Sequence, residues 1–238
     1  MVHIQSEREI MTCILVAHLG SEVVIAVDKR VTCRAADGTR IVLGDSEEKI
    51  VRTAVGIVTG CGALPMLEPV KNVLSTEGFA TTDEVLELIQ QTRNAYAEAN
   101  SCNPRLAADL AETAWLFTYP AMANGQAVTR AVFFHQSVST ENFVVVEEGR
   151  VMCFPGGFSR EQAQEVQAQL QEVVTSSLST NPYEQAKQAI IKHILHLMSE
   201  VAETSVSVSR VCDVAVINGR DVQFKHSVTS SDCVRDWL

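Results

Sequence analysis

Two apolar runs rich in β-branched residues open the chain, and a short polar break separates them. Thr12 to His18 and Glu22 to Asp28 have the composition and length of strands. Leu19-Gly20-Ser21 supplies the turn that folds one back on the other. With that turn centred on Gly20, antiparallel pairing sets Thr12 opposite Asp28. Arg30-Val31-Thr32 extends the second strand. A turn over Ala36-Asp37-Gly38-Thr39, with Asp-Gly at its core, precedes the brief apolar stretch Ile41-Val42-Leu43. Residues 50–62, IVRTAVGIVTGCG, predict a tight hairpin that ends in Gly60-Cys61-Gly62. A helix from Ala63 to Leu74 follows, with Pro69 inside it.

Downstream the period changes from two to that of a helix and back again. Thr81-x-x-Glu84 is a capping box, and Val85, Leu88, Ile89 and Tyr96 share one face of a helix over 81–100. Asn103-Pro104 marks its break. Four strands are predicted next: Thr113 to Tyr119, Ala127 to Gln136, Asn142 to Val146, and Arg150 to Phe154. Asn124-Gly125 makes the first turn between them and Glu147-Glu148-Gly149 the last. Pro155-Gly156-Gly157 is a loop. Ser159-Arg160-Glu161-Gln162 then caps a helix with the stripe Ala163, Val166, Leu170, Val173 and Val174. A second helix, with Pro182 in its first turn, turns Ala186, Ala189, Ile190, Ile194, Leu197 and Met198 inward. The alternation Ser205-Val206-Ser207-Val208-Ser209 reads as a strand with one polar face. Residues 211–226 close as a hairpin about Asn218-Gly219, and the tail from Ser227 is polar until Trp237-Leu238.

Strands, helices, strands, helices, strands is an order compatible with an α+β protein of two stacked antiparallel sheets between helix layers. At 238 residues and 46% hydrophobic, the chain can bury one sizeable core, so one domain is expected. The net charge of −10 argues against nucleic acid and anionic membranes as partners. No apolar run approaches the ~18 residues of a membrane span, and MVHIQSEREI is too polar for a secretory signal. Seven scattered cysteines with no C-x-x-C point to a reducing compartment. Cytoplasmic localisation is therefore expected. His193 and His196 lack a third metal ligand and read as ordinary helix histidines. No cofactor is expected.

Three residues stand out chemically: Thr12 at the head of the first strand, Asp28 at the end of the second, and Lys49 before the next apolar run. On spacing alone they are the polar ends of a hairpin. Lys49 would then be a surface partner of the acidic patch Asp45-Ser46-Glu47-Glu48, worth ~0–1 kcal/mol. However, the pattern T-x-I-L-V-A-x-x-G-x-x-V-V-I-A-x-D-x-R-x-T resembles the opening of proteasome β-type subunits and their bacterial relatives, the N-terminal-nucleophile (Ntn) hydrolases. The order of later elements agrees, so the resemblance covers most of 12–226.

That resemblance implies a four-layer αββα sandwich over 12–226, with 1–11 as a short N-terminal extension or propeptide and 227–238 as a C-terminal tail. It implies a threonine endopeptidase in which Thr12 is the nucleophile, its own α-amine the base, Lys49 the electrostatic partner and Asp28 the mate of Lys49. Lys49 comes later than the family pattern, so Cys33 to Ser46 carries a small insertion. A backbone N–H at Gly60, Cys61 or Gly62 would hold the oxyanion. The family's supporting serine in a Gly-Ser-Gly turn is missing from Pro155-Gly156-Gly157, unless Ser159 replaces it in space. Ser207 or Ser209 would take the role of a second serine, and no aspartate matches beside it. The chemistry needs a free amine on Thr12. Either Met11 is the start and is cleaved, or residues 1–11 are a propeptide; family propeptides end in Gly, and Met11 departs from that. Implied partners are a peptide or unfolded protein substrate, further copies of the chain in homo-oligomeric stacked rings, and an ATP-dependent unfoldase. Two other functions share the pattern: a catalytically silent ring subunit, and an amide-bond transferase using the same acyl-enzyme.

Overall fold

A period-2 strand can be apolar throughout only if both of its faces are covered, and the first two runs are covered on both. A computed structural model describes residues 8–34, 39–123 and 125–234. Arg8–Ile10 form β1, Cys13–His18 β2 and Val23–Asp28 β3, and every residue of β2 and β3 is buried. Cys13, Leu15 and Ala17 face one apolar cluster while Ile14 and Val16 face another. The chain continues through β4 (Val31–Arg34), β5 (Arg40–Gly44), β6 (Val51–Arg52), β7 (Ile57–Ala63), α1 (Leu64–Thr76), α2 (Thr82–Ala99) and α3 (Leu106–Glu112). Next come β8 (Ala114–Ala123), β9 (Gln126–His135), β10 (Val144–Val146), β11 (Val151–Pro155), α4 (Arg160–Thr180), α5 (Tyr183–Thr204), β12 (Cys212–Asn218) and β13 (Asp221–Val228).

Two antiparallel sheets stack face to face. One is ordered β11-β2-β3-β12-β13; the other runs β10-β9-β8-β7-β1-β4-β5, with β6 on β7. Ile14, Ile25, Ile57, Leu116 and Ile217 fill the space between them. On the outer face of the first sheet, α4 and α5 bury Leu170, Val174, Ile190 and Ile194 against Leu15 and Val214. On the outer face of the second, α1 and α2 bury Met66, Leu67, Val85 and Ile89 against Trp115 and Phe117. The result is a four-layer αββα sandwich with three apolar seams.

Several elements depart from the sequence reading. Leu19 N–H donates to Glu22 O, so the β2–β3 turn is Gly20-Ser21 alone. The ladder then pairs Ile14 with Val27, which sets Cys13, not Thr12, level with Asp28. Arg30-Val31-Thr32 does not extend β3: the chain crosses to the other sheet there, and β4 pairs with β1 and β5. Polar Arg8–Ile10, with no readable period, is a strand because β4 and β7 flank it on both edges. α3 also lacked a signal, as a seven-residue helix hides easily after Asn103-Pro104. Residues 205–211 form a turn and connection rather than a strand. Ala189 lies on the exposed side of α5 while Ile191 and Leu195 face inward.

The caps follow their sequence signals. Thr81 Oγ1 accepts from Glu84 N–H, and the Glu84 carboxylate accepts from Ala80 N–H. Ser159 and Gln162 make the full reciprocal box. α1 tolerates Pro69 because only the bond to the Pro65 carbonyl is lost. The second hairpin closes with Asn218 paired to Asp221, so Gly219-Arg220 is the turn. The predicted turns at Asp37-Gly38 and Asn124 and the terminal Trp237-Leu238 lie outside the described residues. Ile25→Ala, which empties part of the seam between the sheets, should cost about 2–5 kcal/mol in urea unfolding. Val42→Ala on exposed β5 should stay within about 0.5 kcal/mol.

Candidate active site

β3 ends on a carboxylate that four donors surround. Asp28 Oδ1 accepts from Lys49 Nζ at 2.9 Å and from Cys13 N–H at 2.9 Å. Oδ2 accepts from Arg30 N–H at 2.8 Å and from Ser209 N–H at 3.2 Å. The carboxylate thus ties together β2, the crossover after β3, the segment before β6 and the connection into β12. Lys49 and Asp28 are 1% and 0% exposed. Lys49 is no surface partner of the acidic patch: Arg30 takes Asp45 instead, at 2.7 Å. Burial pushes the Lys49 ammonium below its ordinary range, and Asp28 opposes that shift. Its backbone carbonyl accepts from a second buried lysine, Lys71, at 2.9 Å. Burial, with the Lys49 charge beside it, pushes Lys71 down to about 8.

Thr12 sits at the mouth of the seam between the sheets, one residue before β2. It is buried, and its Oγ1 has no hydrogen-bond partner within the described residues. Buried hydroxyls are nearly always bonded, so an orphan here needs a reason. Ser207 Oγ is a second buried orphan on the connection into β12. The other two serines of that connection are committed. Ser209 Oγ accepts from Lys29 N–H, and Ser205 Oγ donates to Gly156 O at 2.9 Å. Gly156 lies against the Met11–Thr12 peptide bond: a Cβ there would sit 3.0 Å from Met11 C and 2.9 Å from Thr12 O. The loop that lacks the family serine therefore has a steric role that no spacing rule exposes.

Gly60 lies within β7, level with Trp115 on β8. Gly62, near the end of β7, adopts φ +116°, and a Cβ there would collide with Thr113, so only glycine fits against Thr113. Ala63 N–H is taken by Thr113 Oγ1 at 3.1 Å. A cavity of about 240 Å³ opens beside Thr12, lined by Cys61, Glu112, His135, Phe154, Phe158 and Ala163 among others. Burial raises the Cys61 thiol to about 11. Of the residues singled out in the sequence, the structure pairs Asp28 with Lys49 and sets Thr12 beside Cys13, whose N–H reaches Asp28. Gly156, Ser205, Lys71 and the cavity wall carry no local sequence signal, because their residues meet only through long-range packing.

A hydroxyl at a strand end, with a buried ammonium–carboxylate pair in the same sheet end, is suited to nucleophilic acyl transfer. No group of three His, Cys, Asp or Glu among the described residues is arranged to hold a metal, and no helix among them is long and apolar enough to cross a membrane. Two predictions follow from the electrostatics. Asp28→Ala, which strands the buried Lys49 charge, should cost about 3–5 kcal/mol in urea unfolding, and Lys49→Met on that background should recover part of it. For Lys71 the folded chain loses the proton first, so the unfolded chain binds more protons from about pH 8 to about 10 and the term adds stability as pH rises. The stability of the native chain relative to Lys71→Met should therefore increase across that window.

No protein-family model and no curated protein matches the sequence. Among solved structures, the chain is similar to Anbu (ancestral β-subunit) from Yersinia bercovieri, with a TM-score of 0.58 and 15% identity over 91% of this chain and 87% of that one. It is also similar to the Anbu (Gly-1) mutant from Hyphomicrobium sp. strain MC1, with a TM-score of 0.56 and 14% identity over 95% and 91% of the two chains. Likeness at these identities shows a shared fold.

Proposed function

We propose that this chain is a threonine peptidase of the proteasome type, with Thr12 as its N-terminal nucleophile once residues 1–11 are absent. The observation that carries the reading is the buried Lys49–Asp28 pair, held at the same sheet end as a threonine whose hydroxyl is buried without a partner. In this reading the Thr12 amine takes the hydroxyl proton as Oγ attacks the substrate carbonyl. The Lys49 charge lowers the proton affinity of both groups. The orphan Ser207 Oγ is the supporting serine, free to meet the amine. Ser209 is excluded from that role, since its N–H and Oγ are spent on Asp28 and Lys29. The oxyanion N–H comes from Gly60, Cys61 or Gly62; Ala63 is excluded by its bond to Thr113. The C–N bond then breaks, the amine leaves with the proton, and water releases the acyl group. The reading extends to assembly into homo-oligomeric stacked rings in the cytoplasm, with an unfoldase supplying unfolded chains; its support is fold likeness to one solved structure named as an ancestral β-subunit.

A second reading has its own observation. Arg8–Ile10 are an interior strand of the larger sheet, between β4 and β7. A chain that keeps them has no free amine on Thr12 and is a catalytically silent ring subunit. The third, an amide-bond transferase, shares the acyl-enzyme and differs in its acceptor, which product analysis with an added amine would reveal. A chain prepared to begin at Thr12 should hydrolyse unstructured peptides and be labelled at Thr12 by a threonine-directed electrophile. Thr12→Ala should lose at least ~10³-fold in kcat/KM. Unchanged hydrolysis by Thr12→Ala would end the proposal, and intact mass of the natively expressed protein separates the silent reading from the active one.

A further inference from the structure

We infer that the cavity beside Thr12 is a leaving-group pocket that selects a large apolar residue on the amine side of the scissile bond; this rests on the acyl-transfer reading of Thr12. The two sides of the Met11–Thr12 bond are distinguishable. On the acyl side, Arg8–Ile10 run as a strand between β7 and β4, with Ile10 paired to Gly62. The tip of Met11 leads over Gly157 towards Arg40 on β5: a Cβ at Gly157 would lie 3.6 Å from Met11 Cε and 3.8 Å from Arg40 Nη1. The cavity lies across β7 from β4. Its wall comes from β7, the end of α3, the end of β9, β11 and the first turn of α4, with Met11, Thr12 and the 156–158 loop at its edge. Met11 and Gly157 border it, yet about 240 Å³ stays open with Met11 in place, so the acyl-side residue occupies its edge and does not fill it. The part of a substrate that reaches it is the part beyond the broken bond.

The wall has a definite chemistry. Phe154 is braced between Phe133 (centroids 5.8 Å) and His135 (5.9 Å, near-parallel), so its ring is a fixed surface. Phe158 and Ala163 close the α4 side, and Cys61, a neutral thiol, closes the β7 side. Glu112 is the one carboxylate of the lining; its ion pair with Arg105, outside the lining, is long at 3.7 Å, and His135, pushed down by burial and by Arg93, adds no positive charge inside the pocket at neutral pH. At about 240 Å³ the space falls below the ~300–1,000 Å³ of drug-sized pockets and suits a single side chain. An aromatic or branched aliphatic side chain fits it; an acidic one meets Glu112. The same pocket would seat an incoming amine if the acyl group were passed to an acceptor, because the leaving amine and an attacking amine occupy one position.

The pocket is present in the full chain, so it can be tested apart from turnover. Phenylalaninamide, glycinamide and aspartic acid α-amide would be titrated into the intact 238-residue protein and followed by NMR. Phenylalaninamide should bind at least about tenfold tighter than glycinamide, the scale of burying one apolar side chain, and the aspartic amide weakest. Ala163→Trp, which fills the pocket, should abolish that preference, and Phe158→Ala, which widens it, should move it towards larger amines. Equal affinity for the three amides, or a preference that Ala163→Trp leaves intact, overturns the inference. Failure of the peptidase reading shows differently, as a Thr12-initiated chain that turns over no peptide whatever its leaving residue.

Discussion

One buried carboxylate organises this end of the molecule. Asp28 accepts four hydrogen bonds, and each comes from a different part of the chain. Burying an ion pair is costly unless its remaining hydrogen-bond capacity is met, and here Asp28 meets that condition with backbone N–H groups from Cys13 on the neighbouring strand, from Arg30 and from Ser209 in the connection into β12. The position of Lys49, the departure of the chain from β3 into the other sheet and the path of residues 205–211 are consequences of satisfying one side chain. Lys71 adds a second positive charge within the same low-dielectric region, anchored on the carbonyl of Lys49 itself.

The sandwich gives that cluster a rigid frame. β2 and β3 are buried on both faces, so neither can shift by a residue without turning apolar side chains into the wrong seam. Their open ends point Thr12 and Asp28 to the mouth of the inter-sheet space. Gly156 and Gly62 allow backbone to approach from the two sheets, one against the Met11–Thr12 bond and the other against Thr113. Precision at the site therefore derives from strands and close backbone contact rather than from long flexible loops.

How much of this was legible in the sequence depends on the range of the interaction. The β2–β3 hairpin, the capped helices α2 and α4 and the closing hairpin carry local signals, and each formed near its expected place. The motif resemblance singled out Thr12, Asp28 and Lys49, of which Asp28 and Lys49 pair directly, although the register was one residue off because a two-residue turn and a three-residue turn look alike in Leu19-Gly20-Ser21. β1 was not legible: Arg8–Ile10 are extended only because two other strands present edges to them. The serines at 205, 207 and 209 alternate as a strand would, yet their spacing serves Gly156 and Asp28 instead. The cavity wall draws on five separate elements, and no window of sequence contains it.

The place of β1 also bears on the continuity of the larger sheet. Among the described residues, the three of β1 supply the connection by which β4 and β5 join the ladder of β7. If they are withdrawn, β4 and β7 become two facing edges about two strand spacings apart, roughly 9–10 Å, each with a row of unpaired N–H and C=O groups. A gap of that width is commensurate with one extended polypeptide and too narrow for a helix. The amides of Val31–Arg34 and of Ile57–Ala63 would then exchange with solvent at rates set by whatever chain lies between them, so proton exchange at these two strands becomes a direct gauge of occupancy.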